Sequence, residues 1–218
     1  MEASEPESEP NSTESKARRS TLVEDRRTQL LEAAAKVLAT RGARHMRLSD
    51  VADEAGVSIG MVQHYFRSRS ELLLETFRAA YQNAATTLDG ISEEESDPVE
   101  RLIRLIDHSI QADRWPIWIE YWGAAYRDPA ILENCESQYR RWSSNFHEAI
   151  EYGVEAGVFT PRNPVDDIAD QLLAMINGLA IRLIMRDFRV DDDRAHHLIG
   201  VLLRDELDLQ QIPVFSTR

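Results

Sequence analysis

The chain has 218 residues, 43% of them hydrophobic and 29% charged, an ordinary globular profile long enough to bury a full core without staples. Its single cysteine, Cys135, excludes an intrachain disulfide and a cysteine zinc cluster, and a reducing cytoplasm fits that count. A net charge of −13 argues against a nucleic-acid binder when it is averaged over the whole chain.

The charge is not evenly spread. Residues 1–15 carry five acids and no base, and 1–19, rich in Glu, Ser, Pro and Asn, reads as a disordered tail without the apolar run of a secretory signal. Residues 16–70 carry eleven bases against six acids, and 71–218 carry 14 bases against 27 acids. A small basic module therefore precedes a large acidic one. Attraction to phosphate is local, because fields fade within about 10 Å at ordinary salt.

From residue 20 onward the pattern predicts helix after helix. Leu30, Leu31, Ala34, Val37 and Leu38 give helical spacing over 26–40, stopped by Gly42. Short helices are predicted at 48–55, ended by Gly56, and at 59–65. Ser68 and Glu71 form a capping box that opens a long helix to about residue 88, and the acidic 92–96 reads as a loop. Asp97-Pro98-Val99-Glu100 repeats the start signal. Helices are then expected at about 98–112, 115–126, from Asp128-Pro129 to near 157, from Asn163-Pro164 to about 188, and from Asp191 to about 207. The run at 168–185 is the most apolar, but Asp170 and Arg182 would each cost roughly 2.5–3.5 kcal/mol in a bilayer, so it reads as a buried helix rather than a membrane span. No strand alternation stands out. The fold class predicted is all-α with about nine helices: a three-helix head at 20–70 and a helical body at 71–210.

Gly56-Val57-Ser58-Ile59-Gly60 matches the G-x-S-x-G of a serine hydrolase. That reading needs a strand before the serine and a helix after it. The preceding SDVADEA has helical spacing, and no strand–helix alternation supplies a sheet. The alternative is a glycine-containing turn between two short helices, a helix-turn-helix. Gly56 ends the first helix, and Ser58 caps the second. On a helical wheel Ile59, Val62, Tyr65 and Phe66 form a buried face, while Gly60, Met61, Gln63 and His64 point outward. Gln63 can pair with adenine and Met61 can touch a thymine methyl. Ser58, Tyr65, Arg67 and Arg69 can bond phosphates, beside the start of the Ser68 helix. The full DNA-contacting set expected is Arg47, Ser49, Ser58, Ile59, Gly60, Met61, Gln63, His64, Tyr65, Arg67 and Arg69.

GARHMRLSDVADEAGVSIGMVQHYFRSRSELL resembles the DNA-binding segment of the TetR family of bacterial transcription regulators, whose pattern runs Thr-Val-x-x-Ile-Ala-x-x-Ala-Gly-Val-Ser-x-Gly-x-x-Tyr-x-Tyr-Phe-x-Ser-Lys-x-x-Leu. The match covers about 26–73 with unbroken spacing. It implies a homodimer, a DNA-binding head, a helical ligand-binding body, and repression of a near-palindromic operator relieved by a small molecule. Four positions depart from the pattern. Arg47 replaces a capping threonine, Ile59 a common lysine, Gln63 a common tyrosine and Arg69 a phosphate-binding lysine, which leaves the operator sequence open.

In the body, Trp115, Trp118 and Trp122 share one helical face, and Trp142 is the fourth tryptophan. They read either as packed core or as the wall of an aromatic pocket. The W-x-x-W-x-x-x-W pattern, followed by Asn177-Gly178 and Arg182, resembles BetI-like members of the family. That resemblance implies choline or a related amine, held by cation–π attraction of up to about 2 kcal/mol per contact. Asp107 or Glu120 would add charge, which would suit a polyamine as well. The expected ligand set is Asp107, Trp115, Trp118, Glu120, Trp122, Trp142 and Asn177. The broad apolar arcs of the last two helices predict a four-helix dimer interface through Ile168, Leu172, Met175, Ile176, Leu179, Leu198 and Leu202, against the alternative of one buried central helix. His196 and His197 lie too far apart around a helix to share a metal, Cys135 is expected to pack, and no cofactor is expected. The sequence thus points to a ligand-responsive DNA-binding regulator in the cytoplasm. A helical interaction protein and a hydrolase using Ser58 are the alternatives.

Overall fold

Helices begin in the structure at nearly every start signal in the sequence. The computed structural model describes residues 12–111, 115–185 and 190–215, with 12–22 as backbone only. Among these it contains nine helices and no strand: α1 (Ser12–Arg41), α2 (Leu48–Ala55), α3 (Ile59–Tyr65), α4 (Arg69–Glu94), α5 (Pro98–Ile110), α6 (Trp115–Ala125), α7 (Pro129–Glu155), α8 (Val165–Ile184) and α9 (Asp192–Leu207). The chain divides into two compact units, Met1–Thr76 and Phe77–Arg218, the division falling inside α4. None of the described helices is long and apolar enough to cross a membrane.

In the first unit α1 packs on α2 and α2 on α3. Leu30, Leu38, Val51, Val62, Phe66 and Leu72 are fully buried. The Arg27 guanidinium lies 5.5 Å from the centre of the Phe66 ring and pairs with Glu75. Gly56 takes the left-handed conformation at φ 64, and its N–H turns back to the last carbonyls of α2. That conformation costs glycine little because it has no Cβ. Ser58 Oγ accepts the Met61 N–H at 3.3 Å, which caps α3.

Several boundaries differ from expectation. Residues 12–19, read as part of a disordered tail, are the first turns of α1, while 1–11 lie outside the described residues. Lys, Ala and Arg in this stretch are strong helix formers, and extending an existing helix avoids the cost of nucleation. α4 continues through the stretch read as a loop, to Glu94. Ile91 is buried there, and no breaker intervenes before Pro98. Asp97 caps α5 by accepting the Val99 and Glu100 N–H groups, both at 2.9 Å, but its own N–H donates to Glu95 rather than Glu100. The capping box at Ser68 is also shifted: Ser68 Oγ accepts the Glu71 N–H, and the Glu71 carboxylate accepts from Arg67. Asn163 does not cap α8; its amide donates to Glu206 at 2.7 Å.

In the second unit α7 packs against α5, α6 and α8, and α8 also against α5, α6 and α9. This arrangement already buries four residues of the expected dimer surface. Ile168, Leu172, Ile176 and Leu179 of α8 are buried inside this one chain, in the core with Leu105, Phe146 and Ile199. A side chain already enclosed by its own core cannot also face a partner. Met175, Leu198 and Leu202 pack at the core's edge and stay partly exposed. Two glycines are required by close packing: a Cβ at Gly153 would lie 2.1 Å from the Phe159 ring, and one at Gly200 would lie 2.6 Å from Ile212.

Candidate nucleic-acid interface and aromatic cavity

α3 is short, so its placement depends on a few anchors. Val62 within it and Phe66 just after it are fully buried, and Tyr65 is half-buried with its ring edge-on to His64. Gly60, Met61, Gln63 and His64 are exposed together, as the wheel predicts. Ile59 is the exception: expected on the buried face, it is 46% exposed. It opens the helix, one residue beyond the Ser58 cap.

Arg47, Ser49, Ser58 and Arg67 are also exposed. Arg47 stands at the N-cap of α2 without a side-chain cap bond, because a guanidinium has no acceptor. Its backbone N–H instead donates to Asp50 at 3.0 Å, and Asp50 also pairs with Arg41 at 2.6 Å. The Arg69 side chain, expected on phosphate, is turned inward. Its Nε donates to the Met46 carbonyl at 2.8 Å and its Nη2 to the Ala43 carbonyl. It fastens the loop that leads into α2 with two of the five N–H donors a guanidinium carries.

The body holds a cavity of about 660 Å³, part of it open to solvent. Trp115, Trp118, Trp122 and Trp142 all line it, joined by Tyr81, Tyr121 and Tyr139. The rings are set edge to face: Trp115 meets Trp122 at 5.5 Å and 70°, Tyr81 meets Trp118 at 6.2 Å and 80°, and Tyr139 meets Trp142 at 6.0 Å and 90°. Such T-shaped contacts are favourable and hold each ring in place. The polar tips bond to the protein. Trp115 Nε1 donates to the Ser109 carbonyl at 3.0 Å and Trp142 Nε1 to Ser109 Oγ at 3.3 Å. Tyr81 donates to the Gln138 carbonyl and Tyr121 to Asn134, both at 2.6 Å.

The described lining residues include no lysine, arginine or carboxylate, and His108 is the ionisable base among them. Burial pushes the Tyr81 hydroxyl up to about 12, with Arg141 opposing and Asp89 assisting. Burial likewise raises Tyr121, Tyr139 and the Cys135 thiol. Among the described residues no carboxylate lines the cavity. Asp107 and Glu120, expected in the ligand set, are not among the lining residues. Asp107 Oδ1 instead lies 3.0 Å from His196 Nε2 on α9, and that imidazole stacks on Phe215 at 4.7 Å. Asn177, not among the lining residues, is a side-chain hydrogen-bond partner of Tyr139.

Sequence reasoning missed the tyrosines, His108, Ser109, Gln138 and Cys135, all of which line the cavity. A signal was present. Residues 81, 84, 85 and 88 of α4 and 135, 138, 139 and 142 of α7 each form a helical stripe, but an ordinary core stripe has the same period.

Comparison with known proteins agrees with both units. The family described as "Bacterial regulatory proteins, tetR family" matches residues 30–76, and "BetI-type transcriptional repressor, C-terminal" matches 98–208. The HTH-type transcriptional regulator BetI of Rhizobium meliloti is 30% identical over 162 residues, 72% of this chain and 77% of that protein. BetI of Agrobacterium fabrum is 29% identical over 166 residues, 74% of this chain and 78% of that protein. Among solved structures, a transcriptional regulator from Saccharomonospora viridis in complex with choline aligns with a TM-score of 0.76 and 26% identity. The alignment covers 83% of this chain and 96% of that one. The exposed helix-turn-helix, the aromatic cavity and these matches lead to one conclusion: the chain belongs to the TetR family of transcriptional regulators and carries a BetI-type C-terminal body.

Proposed function

We propose that this regulator is a cytoplasmic homodimeric repressor that leaves its operator when a small quaternary ammonium ion fills the aromatic cavity. The observation that carries the ligand class is the wall itself: four tryptophans and three tyrosines, with no carboxylate among the described lining residues. A primary amine or polyamine brings N–H donors that want charged acceptors. A quaternary ammonium is weakly hydrated, has no donor, and is held by ring faces alone. The choline bound by the Saccharomonospora viridis regulator supports the same reading, and the placement of Asp107 and Glu120 weighs against a polyamine.

In this reading α3 enters the major groove of a near-palindromic operator. Gln63 and His64 read base edges, and Arg47, Ser49 and Arg67 hold the backbone. α4 begins at Arg69 beside the head and carries Tyr81, Ala84, Ala85 and Leu88 of the cavity wall, so it is the element through which filling the cavity acts on the head. A coupling of about 1–3 kcal/mol is enough for a useful switch.

The test is fluorescence anisotropy on the DNA immediately upstream of the protein's own gene, with excess nonspecific competitor, followed by titration with choline. Sequence-specific binding that choline weakens, while spermidine does not, is the expected result. Trp118→Ala should reduce choline affinity roughly ten- to thirtyfold, the worth of one desolvated cation–π contact. Sequence-specific binding that is indifferent to every quaternary amine tried would overturn the ligand class and leave the regulator. Purely nonspecific DNA binding would favour a helical interaction protein.

A further inference from the structure

Ile59 and Met61 are 46% and 39% exposed, both in the first turn of α3, one on each side of Gly60. Scattered surface apolar residues need no explanation, but these two flank a single glycine on a short helix whose remaining outward side chains are polar. Neither is needed for the core, which α3 reaches through Val62. Between them a Cβ on Gly60 would meet only Ser58 Oγ, at 3.8 Å. The protein's own packing leaves room there, and glycine inside a helix costs about 1 kcal/mol relative to alanine. The first turn of α3 therefore presents bare backbone flanked by two apolar side chains.

The charge around this turn selects the occupant. Arg47 and Arg67, which flank the helix-turn-helix in the chain, are exposed, and the stretch 16–70 carries eleven bases against six acids, so a polyanion is attracted and a second copy of the same head repelled. On a duplex, the apolar group exposed in the major groove is the thymine C5-methyl. We propose that Ile59 and Met61 read thymine methyl groups in each operator half-site, giving the protein a methyl-dependent preference for T·A pairs on both sides of the position where the helix backbone approaches at Gly60. This rests on the head reading DNA as proposed above.

The full-length protein should first be used to select duplexes from a random-sequence pool. The best duplex is then resynthesised with each thymine replaced in turn by deoxyuridine, which removes the methyl and leaves the pairing intact. At one or more positions per half-site the affinity should fall roughly three- to fivefold, the worth of one buried methyl. Ile59→Ala or Met61→Ala should bind the thymine and deoxyuridine duplexes equally at that position. Because both side chains are exposed, these variants should keep their helical circular dichroism, and the wild-type comparison needs no variant at all. Three results overturn the proposal while leaving DNA reading intact: no sensitivity to deoxyuridine at any position, sensitivity that survives in both variants, or variants whose main change is loss of self-association by light scattering. A selection that enriches no sequence removes the DNA reading and the proposal with it.

Discussion

At the scale of single residues, the outward set on α3 is where specificity is expected to reside. Gln63→Ala should lower affinity for the selected operator by roughly ten- to a hundredfold, since a bidentate base contact is worth about 1–3 kcal/mol of discrimination. Anisotropy on matched and mismatched duplexes checks it, and an equal loss on both would show that Gln63 does not discriminate. Gly153 is constrained by packing: with a Cβ placed 2.1 Å from the Phe159 ring, Gly153→Ala should destabilise the body by about 1–3 kcal/mol, the usual cost of overpacking. A lower melting temperature in thermal denaturation is the readout. The cavity tyrosines make a pH prediction. Tyr81 titrates near 10.0 when unfolded and about 12 in the folded protein. The unfolded chain therefore loses the proton first. Stability from this group is fully present below pH 10 and is lost as pH rises toward 12. Tyrosinate absorbance should lag behind that of the denatured protein across this window. The sequence marked the four tryptophans, and all four line the cavity; nothing local in the sequence reveals that His196, far along the chain, lies 3.0 Å from Asp107.

At the scale of elements, helix starts were legible because a cap is a local device. Ser58, Asp97, Asp128 and Asp191 each accept a backbone N–H from the first turn of the helix they precede, and the identity of each cap is written within three residues of it. Asp97→Ala should cost about 0.5–2 kcal/mol, visible as a shift in the denaturation midpoint with an unchanged slope. Helix ends were less legible. α4 outran its predicted end because its last turns are held by burial of Ile91 and not by a signal in the sequence. Ile59 was misplaced for a related reason. A wheel assumes that a face is buried along its whole length, whereas a seven-residue helix is covered only where its neighbour reaches.

At the scale of the whole molecule, members of this family bind DNA operators and small-molecule effectors and act as dimers. The surface for self-association proposed for this chain is the partly exposed edge of α8 and α9, through Met175, Leu198 and Leu202, with the rest of the apolar arc spent on the chain's own core. Leu198→Glu with Leu202→Glu should convert a dimer to a folded monomer in light scattering at micromolar concentration, while Ile168→Glu should unfold the body. A monomeric wild type would exclude this surface.

The sequence by itself determined the elements and the head. Caps, glycine stops and helical periodicity act over a few residues, and the unbroken spacing from Arg26 to Leu73 carries a complete three-helix unit whose contacts are mostly local. It also determined the aromatic character of the body, because four tryptophans in 218 residues must be buried or used. Only the tertiary structure decided which apolar residues meet inside one chain, that Arg69 holds a loop, that Ile59 faces outward, and that the described residues of the cavity wall include tyrosines and no carboxylate. Those outcomes depend on side chains brought together from distant helices, and a period of 3.6 residues says which face of a helix is apolar without saying what will lie against it.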